Sequence, residues 1–420
     1  MTLVRRAAIL AVGSELLTPS KLDTNSLLLT EQLNRIGIDV AFKSVIGDDR
    51  EELAVALRRA LERVDLVVCT GGLGPTDDDV TREVAADVLN RSLAEDEAIT
   101  SKIRARFTAR GLEMPAINRR QAMVPGGARV LENTKGTAPG LWLEHDGRIV
   151  LLLPGPPREL TAILGSLIDG PLRGLAPGTP ILRRTIRITG RTESHTEEAV
   201  RPLYERWGRR QVPIAATILA SLGQIELHLS AHAAKEEAAV SALEAACCEV
   251  REALGADAYS WDGRSMEEVV GDLLVQRRWH IAVAESCTGG LIASRLTDVP
   301  GSSRYLGMAV VAYANDVKTV LLGVPTELIE EHGAVSEPVA VAMAEGIRGR
   351  AGADVGIAAT GIAGPGGGTP QKPVGTVAIA AAAAGGFRSR LFRFTGERQQ
   401  VKFQASQAAI DLARRMLLGG

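Results

Sequence analysis

Aromatic side chains are scarce: four Trp, four Tyr and six Phe among 420 residues. That scarcity argues against a surface on which bases stack, and so against direct nucleic-acid binding. Histidine numbers only six, none near the motifs described below, so a serine nucleophile here needs another base. The four cysteines, Cys69, Cys247, Cys248 and Cys287, lack metal-ligand spacing. They read as reduced, mostly buried thiols of a cytoplasmic protein. Neither sign of charge dominates: 48 Lys and Arg against 50 Asp and Glu give a net charge of −2, which offers nucleic acid or an anionic membrane no global attraction. No apolar run approaches the roughly 20 residues of a membrane span. Arg5 and Arg6 before Ala7–Val12 imitate a signal peptide faintly, but Glu15 cuts the run short and makes it a better first strand.

Hydrophobic residues at 45% and charged residues at 23% fit globular protein, and the length allows about two or three domains. From Ala7 to about Asn90 strand and helix patterns alternate. Ala7–Val12, Asp39–Ile46 and Asp65–Thr70 read as strands, and Thr24–Arg35, Arg50–Arg63 and Asp79–Leu89 as helices. This is the pattern of a parallel α/β sheet, whose ligands sit at the carboxyl ends of the strands. The loops there are Gly13–Glu15 and the glycine-rich, acidic Gly71–Asp79. Leu141–Leu143 and Ile149–Leu153 predict a hairpin. Pro171–Pro180, rich in proline and glycine, reads as a linker. A small α+β module follows, with strands at Ile181–Ile188 and Ile225–Ser230 and helices at Glu193–Trp207 and Lys235–Leu254. A second α/β unit begins near Ser265, with strands at Ile281–Ala284, Met308–Tyr313, Val355–Ala359, Val374–Ala381 and Ser389–Phe394 and a closing helix over Arg398–Leu418.

The chemistry concentrates at Ser286 and Lys318. An apolar strand ends in Glu285, Ser286, Cys287, Thr288, Gly289 and Gly290 and gives way to a helical pattern, so Ser286 stands at a strand-to-helix turn. Backbone N–H groups at such a turn are expected to be free to stabilise an anion. Lys318 is the available base, because a desolvated lysine can be neutral enough to take the serine proton. Taken singly, Ser286 reads as a helix N-cap and Lys318 as a surface lysine. The Gly361–Gly368 run, taken alone, reads as a flexible loop, and Cys287 as a buried thiol rather than a nucleophile.

With these motifs in place, the chain resembles the CinA family over essentially its whole length. Gly71–Thr76, Asp78–Thr81, Asn118–Pro125, Asn133–Gly140 and Leu153–Glu159 are similar to the molybdopterin-binding (MoaB/MogA-like) domain of that family. Glu285–Gly290, Tyr313, Lys318 and Ala359–Pro365 are similar to its nicotinamide mononucleotide (NMN) deamidase domain, and the middle module to its KH-like domain. The resemblance implies domains at 1–172, 173–258 and 259–420, the outer two α/β and the middle one α+β. Asp77 departs from the family pattern and leaves three acids in a row.

For the C-terminal domain the resemblance implies metal-free hydrolysis of NMN to nicotinate mononucleotide and ammonia. Ser286 would be the nucleophile, Lys318 the base and later the acid, and Tyr313 and Thr360 their partners; Thr288, Gly289, Gly290, Gly361 and Gly364 would hold the substrate. For the N-terminal domain it implies hydrolysis of ADP-ribose to AMP and ribose 5-phosphate. Substrate would lie against Gly71, Gly72, Gly74, Thr76, Asn25 and Asn118. Asp78 and Asp79 would hold a divalent metal (Co2+, Mg2+ or Mn2+), with K+ as a further ion. Asp77–Asp79 by itself would be an acidic helix start complementing the dipole. Thr189–Thr192 makes no Gly-x-x-Gly clamp, so the middle module reads as a spacer or dimerisation element. A homodimer is expected. Two other readings are a molybdopterin cofactor enzyme with adenylylated pterin at Gly71–Asp79, and a RecA-associated accessory of DNA uptake or repair.

Overall fold

The computed structural model describes residues 3–419. The chain forms two compact units: one runs to Leu182 and takes back Ala231–Val240, and the other holds Arg183–Ser230 and everything from Ser241.

The first unit contains β1 (Arg6–Val12), β2 (Asp39–Ile46), β3 (Leu66–Thr70), β4 (Leu93–Glu95), β5 (Met123–Pro125), β6 (Arg129–Leu131), β7 (Gly140–His145) and β8 (Arg148–Leu153). Its helices are α1 (Thr24–Arg35), α2 (Arg50–Arg63), α3 (Thr81–Val88), α4 (Glu97–Thr108) and α5 (Pro157–Ile168). The main sheet runs β2-β1-β3-β8-β7-β6, while β4 and β5 pair separately. Its first four strands are parallel and the last two antiparallel. Alternate residues of the central strands enter two cores: Ile9, Val68 and Leu151 pack with α1 and α5, and Leu10, Cys69 and Leu152 with α2 and α3. Burial on both faces explains why these strands read as continuous apolar runs.

Pro171–Pro180 is not the free linker its composition predicts. Leu172 is fully buried in the first unit's core. Val4 N–H donates to Leu175 O at 2.7 Å, and Gly178 N–H to Ile36 O at 3.0 Å. Proline and glycine there shape a packed turn.

The second unit adds β9 (Leu182–Ile188), β10 (Ile214–Ser221), β11 (Gln224–Ala231) and β12 (Ala258–Ser260), with α6 (Glu193–Trp207) and α7 (Glu236–Leu254). These strands form the sheet β10-β11-β9-β12. β10 is absent from the sequence reading, because its near-uniformly apolar and small residues show no polar–apolar alternation, although their burial alternates over the first six.

The rest comprises α8 (Met266–Arg277), β13 (Ile281–Glu285), α9 (Leu291–Thr297), β14 (Leu306–Val311), α10 (Asn315–Leu322), α11 (Thr326–His332), α12 (Glu337–Ala351), β15 (Val355–Gly361), β16 (Thr376–Ala383), β17 (Gly386–Arg393) and α13 (Arg398–Leu417). Ser265 and Glu268 close a capping box that starts α8. The sheet order is β14-β13-β15-β16-β17. β13 runs parallel to both β14 and β15, whereas β16 and β17 run antiparallel. Ile281 and Val283 face the layer of α8 and α13, and Ala282 and Ala284 face the layer of α12. No helix among the described residues is long and apolar enough to cross a membrane.

Candidate active sites

In the second unit three parallel strands end side by side. Glu285 lies opposite Val311 of β14 and Ala359 of β15, so Ser286, Ala312 and Thr360 emerge together at one edge of the sheet. Two bonds lock this edge: Ser286 N–H to Ala359 O at 2.9 Å, and Ala312 N–H to Glu285 O at 2.8 Å. The period-2 alternation of β13 sends Ser286 to the side of Ala282 and Ala284, where α10 carries Lys318. Cys287 goes to the opposite core.

Lys318 is 1% exposed, which overturns its reading as a surface lysine. Its Nζ donates to Tyr313 O at 3.3 Å, and no carboxylate makes an ion pair with it among the described residues. Burial lowers its pKa below the usual lysine value, and the nearby Cys287 and Asp316 offset this only in part. Lys318 stands on α10, which follows the end of β14 that is hydrogen-bonded to Glu285 at the edge holding Ser286. Burial also pushes the Cys287 thiol up to about 12, which makes it a poor nucleophile.

The turn itself differs from expectation. Ser286 is not the helix N-cap; Gly290 is, in a left-handed conformation at φ 93° that glycine adopts without strain. The N–H groups expected to be free are taken by Glu285. Its carboxylate accepts from Gly290 N at 2.9 Å, Ile292 N at 3.1 Å and Ala293 N at 2.9 Å. Among the described residues only Cys287 and Thr288 of this turn keep N–H groups with neither a backbone nor a carboxylate acceptor. Thr288 Oγ1 is buried and unpartnered.

Thr360 is fully buried and donates to Ala334 O at 2.8 Å, so its hydroxyl proton fixes the loop before α12. Tyr313 is exposed, and its hydroxyl accepts from Arg398 Nη2 at 3.0 Å. Arg398 Nη1 donates to Gly364 O at 2.7 Å. This arginine, which the sequence reading missed, joins Tyr313 to the glycine loop that includes Gly361 and Gly364. A signal existed: Arg398 opens a helix, where the dipole favours acids. One turn on, Lys402 Nζ lies 3.5 Å from where a Cβ on Gly289 would sit.

In the first unit, a cleft of about 910 Å3 opens between the loops after β1 and β3, where the strand order reverses. Gly71, Gly72, Gly74, Asn25, Asp78 and Asp79 all line it. Gly71 has φ 106°, and a Cβ there would run into Val12 O; only glycine lets this loop lie against the end of β1. Asn25 Nδ2 donates to Gly155 O at 2.7 Å, and its Oδ1 is buried without a partner. Asn118 lies outside the lining and donates to Gln121 Oε1 at 3.2 Å; Gln121 is the residue that reaches the cleft.

The expected metal pair does not assemble. Asp79 turns into its own loop, accepting from Gly74 N at 2.7 Å and from Thr76 N at 2.9 Å, and also from the Thr76 hydroxyl. Asp78 stands in solvent. Among the described residues no three His, Cys, Asp or Glu side chains gather as a metal site. Nor do the acids start a helix: α3 begins at Thr81. Beneath the loop, buried Arg82 donates to Leu73 O at 2.8 Å and keeps Nε and Nη1 unpaired.

Comparison with known proteins divides the chain in the same order. Residues 8–174 match the family described as "Probable molybdopterin binding domain", 183–260 the "Damage-inducible protein CinA KH domain" and 263–417 the "CinA C-terminal domain". A CinA-like protein of Koribacter versatilis is 45% identical, the match covering 98% of this chain and 100% of that one. A CinA-like protein of Acidobacterium capsulatum is 43% identical over the same shares. A crystal structure of the protein CinA from Thermoplasma acidophilum is 35% identical, covering 40% of this chain and 97% of that chain at a TM-score of 0.37. With relatives of this identity matched from end to end, the chain belongs to the CinA family.

Proposed function

We propose that the second unit is an amidohydrolase that converts NMN to nicotinate mononucleotide and ammonia. The observation that carries the reading is Lys318, a buried amine with a lowered pKa and, among the described residues, no carboxylate partner, on the helix that follows the strand edge holding Ser286. Neutral Lys318 takes the Ser286 proton as Oγ attacks the carboxamide carbon. The Cys287 and Thr288 N–H groups are the donors left for the developing oxyanion. Protonated Lys318 then gives its proton to the departing nitrogen, and ammonia leaves. Water enters the acyl-serine and loses a proton to Lys318, which returns it to Ser286 Oγ as the acyl C–O bond breaks; the released acid gives its own proton to solvent, and Ser286 and neutral Lys318 are restored. Arg398 and Lys402 supply positive charge for the ribose phosphate. Ammonia release from NMN by the purified protein tests the reading; none from wild type, or an undiminished rate in Ser286→Ala, overturns it.

For the first unit the reading is hydrolysis of ADP-ribose to AMP and ribose 5-phosphate. A glycine loop at a point of strand-order reversal supports it. Asp78 and Asp79 do not form a cation pair, so no step is assigned to a protein-held metal. The cleft carries six carboxylates, Glu15, Asp23, Asp48, Asp78, Asp79 and Glu159, against one lysine, Lys21. A diphosphate would therefore enter with its own counter-cation. AMP release from ADP-ribose, with and without chelator, tests this; release unaffected by chelator refutes the counter-cation.

A further inference from the structure

A cavity of about 1040 Å3 in the second unit contains none of Ser286, Lys318, Thr360 or Arg398. The Thr189–Thr192 turn before α6 forms one wall, and β17 with α13 forms the other. We propose that it binds a nucleotide, with the base against an arginine–phenylalanine stack and the phosphates on unpaired arginines.

Two observations carry this. On one face of β17 and the residue after it, Phe392 and Phe394 stack at 5.2 Å with ring planes 9° apart. The Arg390 guanidinium lies 4.9 Å from the centre of the Phe392 ring. Both rings are half-buried against the core, so the three flat groups form a fixed ladder that a further planar group can extend.

The second observation is charge. Arg191 and Arg415 share Asp257, and Arg415 also pairs with Asp411. These pairs neutralise two lining carboxylates and brace the wall. Arg390 and Arg393 make no ion pair among the described residues, and Glu198 is the one lining carboxylate in the same state. The balance favours an anion.

A stacking ladder beside two guanidiniums free of ion pairs matches a base-bearing phosphate ester better than inorganic phosphate or an apolar molecule.

The test is calorimetric titration of the full chain with ATP, GTP, CTP and UTP in turn. At least one should bind with a saturable isotherm, and Arg390→Ala/Arg393→Ala and Phe394→Ala should each weaken it tenfold or more. Phe394→Ala, a single change at a half-buried ring, covers the case in which the double variant fails to fold. Ser286→Ala and Asp79→Ala should leave this isotherm unchanged. No saturable binding, or binding that these variants do not weaken, overturns the proposal. So does pyrophosphate binding as tightly as the best nucleotide, or binding confined to a single-stranded oligonucleotide.

Discussion

Replacing Glu285 by Gln tests the unexpected feature of the nucleophile turn. The carboxylate accepts three N–H groups, from Gly290, Ile292 and Ala293, and Glu285 is 1% exposed. A carboxamide has one oxygen, which can serve at most two of them and leaves the third against an NH2 donor. One charge-assisted bond of about 1.5–3 kcal/mol is lost, and a stranded N–H costs about 1–3 kcal/mol more. The sum, about 2.5–6 kcal/mol, corresponds to roughly 5–24 °C in Tm for a unit of about 150–250 residues. Scanning calorimetry should find the transition of the second unit lowered by that amount and that of the first unit unmoved. Glu285→Ala, which removes every acceptor, should fall further. If Glu285→Gln melts within about 1 °C of wild type, the carboxylate does not organise the turn.

Other outcomes follow from the same geometry. Ser286→Ala and Lys318→Ala should each remove most ammonia release from NMN, and the double variant should lose little more, because the two act as one unit; a further large drop in the double variant would refute their coupling. In wild type the rate should fall as pH drops through the pKa of Lys318, which lies below 10.5, since the neutral amine is the base; a rate rising toward acid would contradict this. Arg398→Ala removes two charged hydrogen bonds and should raise KM for NMN about ten- to a hundredfold, at roughly 1.5–3 kcal/mol for a charged contact, whereas an unchanged KM would assign Arg398 to structure alone. Asp79→Ala opens the Gly71–Asp79 loop and should abolish AMP release from ADP-ribose while deamidation persists; deamidation lost alongside it would mean general unfolding.

Periodicity made the helices legible: α1, α2 and α6 begin and end where their patterns and caps place them. The site was legible where strand ends carry it, because Ser286 and Thr360 close apolar runs that must pair. Arg398 escaped notice because it reaches the site from the far end of the domain sequence, through hydrogen bonds that no spacing encodes. Glu285 escaped for a related reason. A glutamate ending a buried strand has no periodic signature, and only the turn of the chain brings three N–H groups onto it. The resemblance makes Asp79 a metal ligand, whereas the glycines beside it let the loop close around its carboxylate.

The first unit's discontinuity decides how the chain can be divided. A cut placed by composition, near Pro171, would remove Leu172 and Leu175 and bare the pocket they fill. A cut after Leu182 would still leave out Ala231–Val240, including His232, whose Nε2 lies 3.1 Å from Thr179 O and 3.0 Å from Thr179 Oγ1. No single cleavage releases this unit whole. A protease nicking the middle module should leave both pieces held together until denaturant separates them, and expression of the isolated N-terminal half should favour insoluble material.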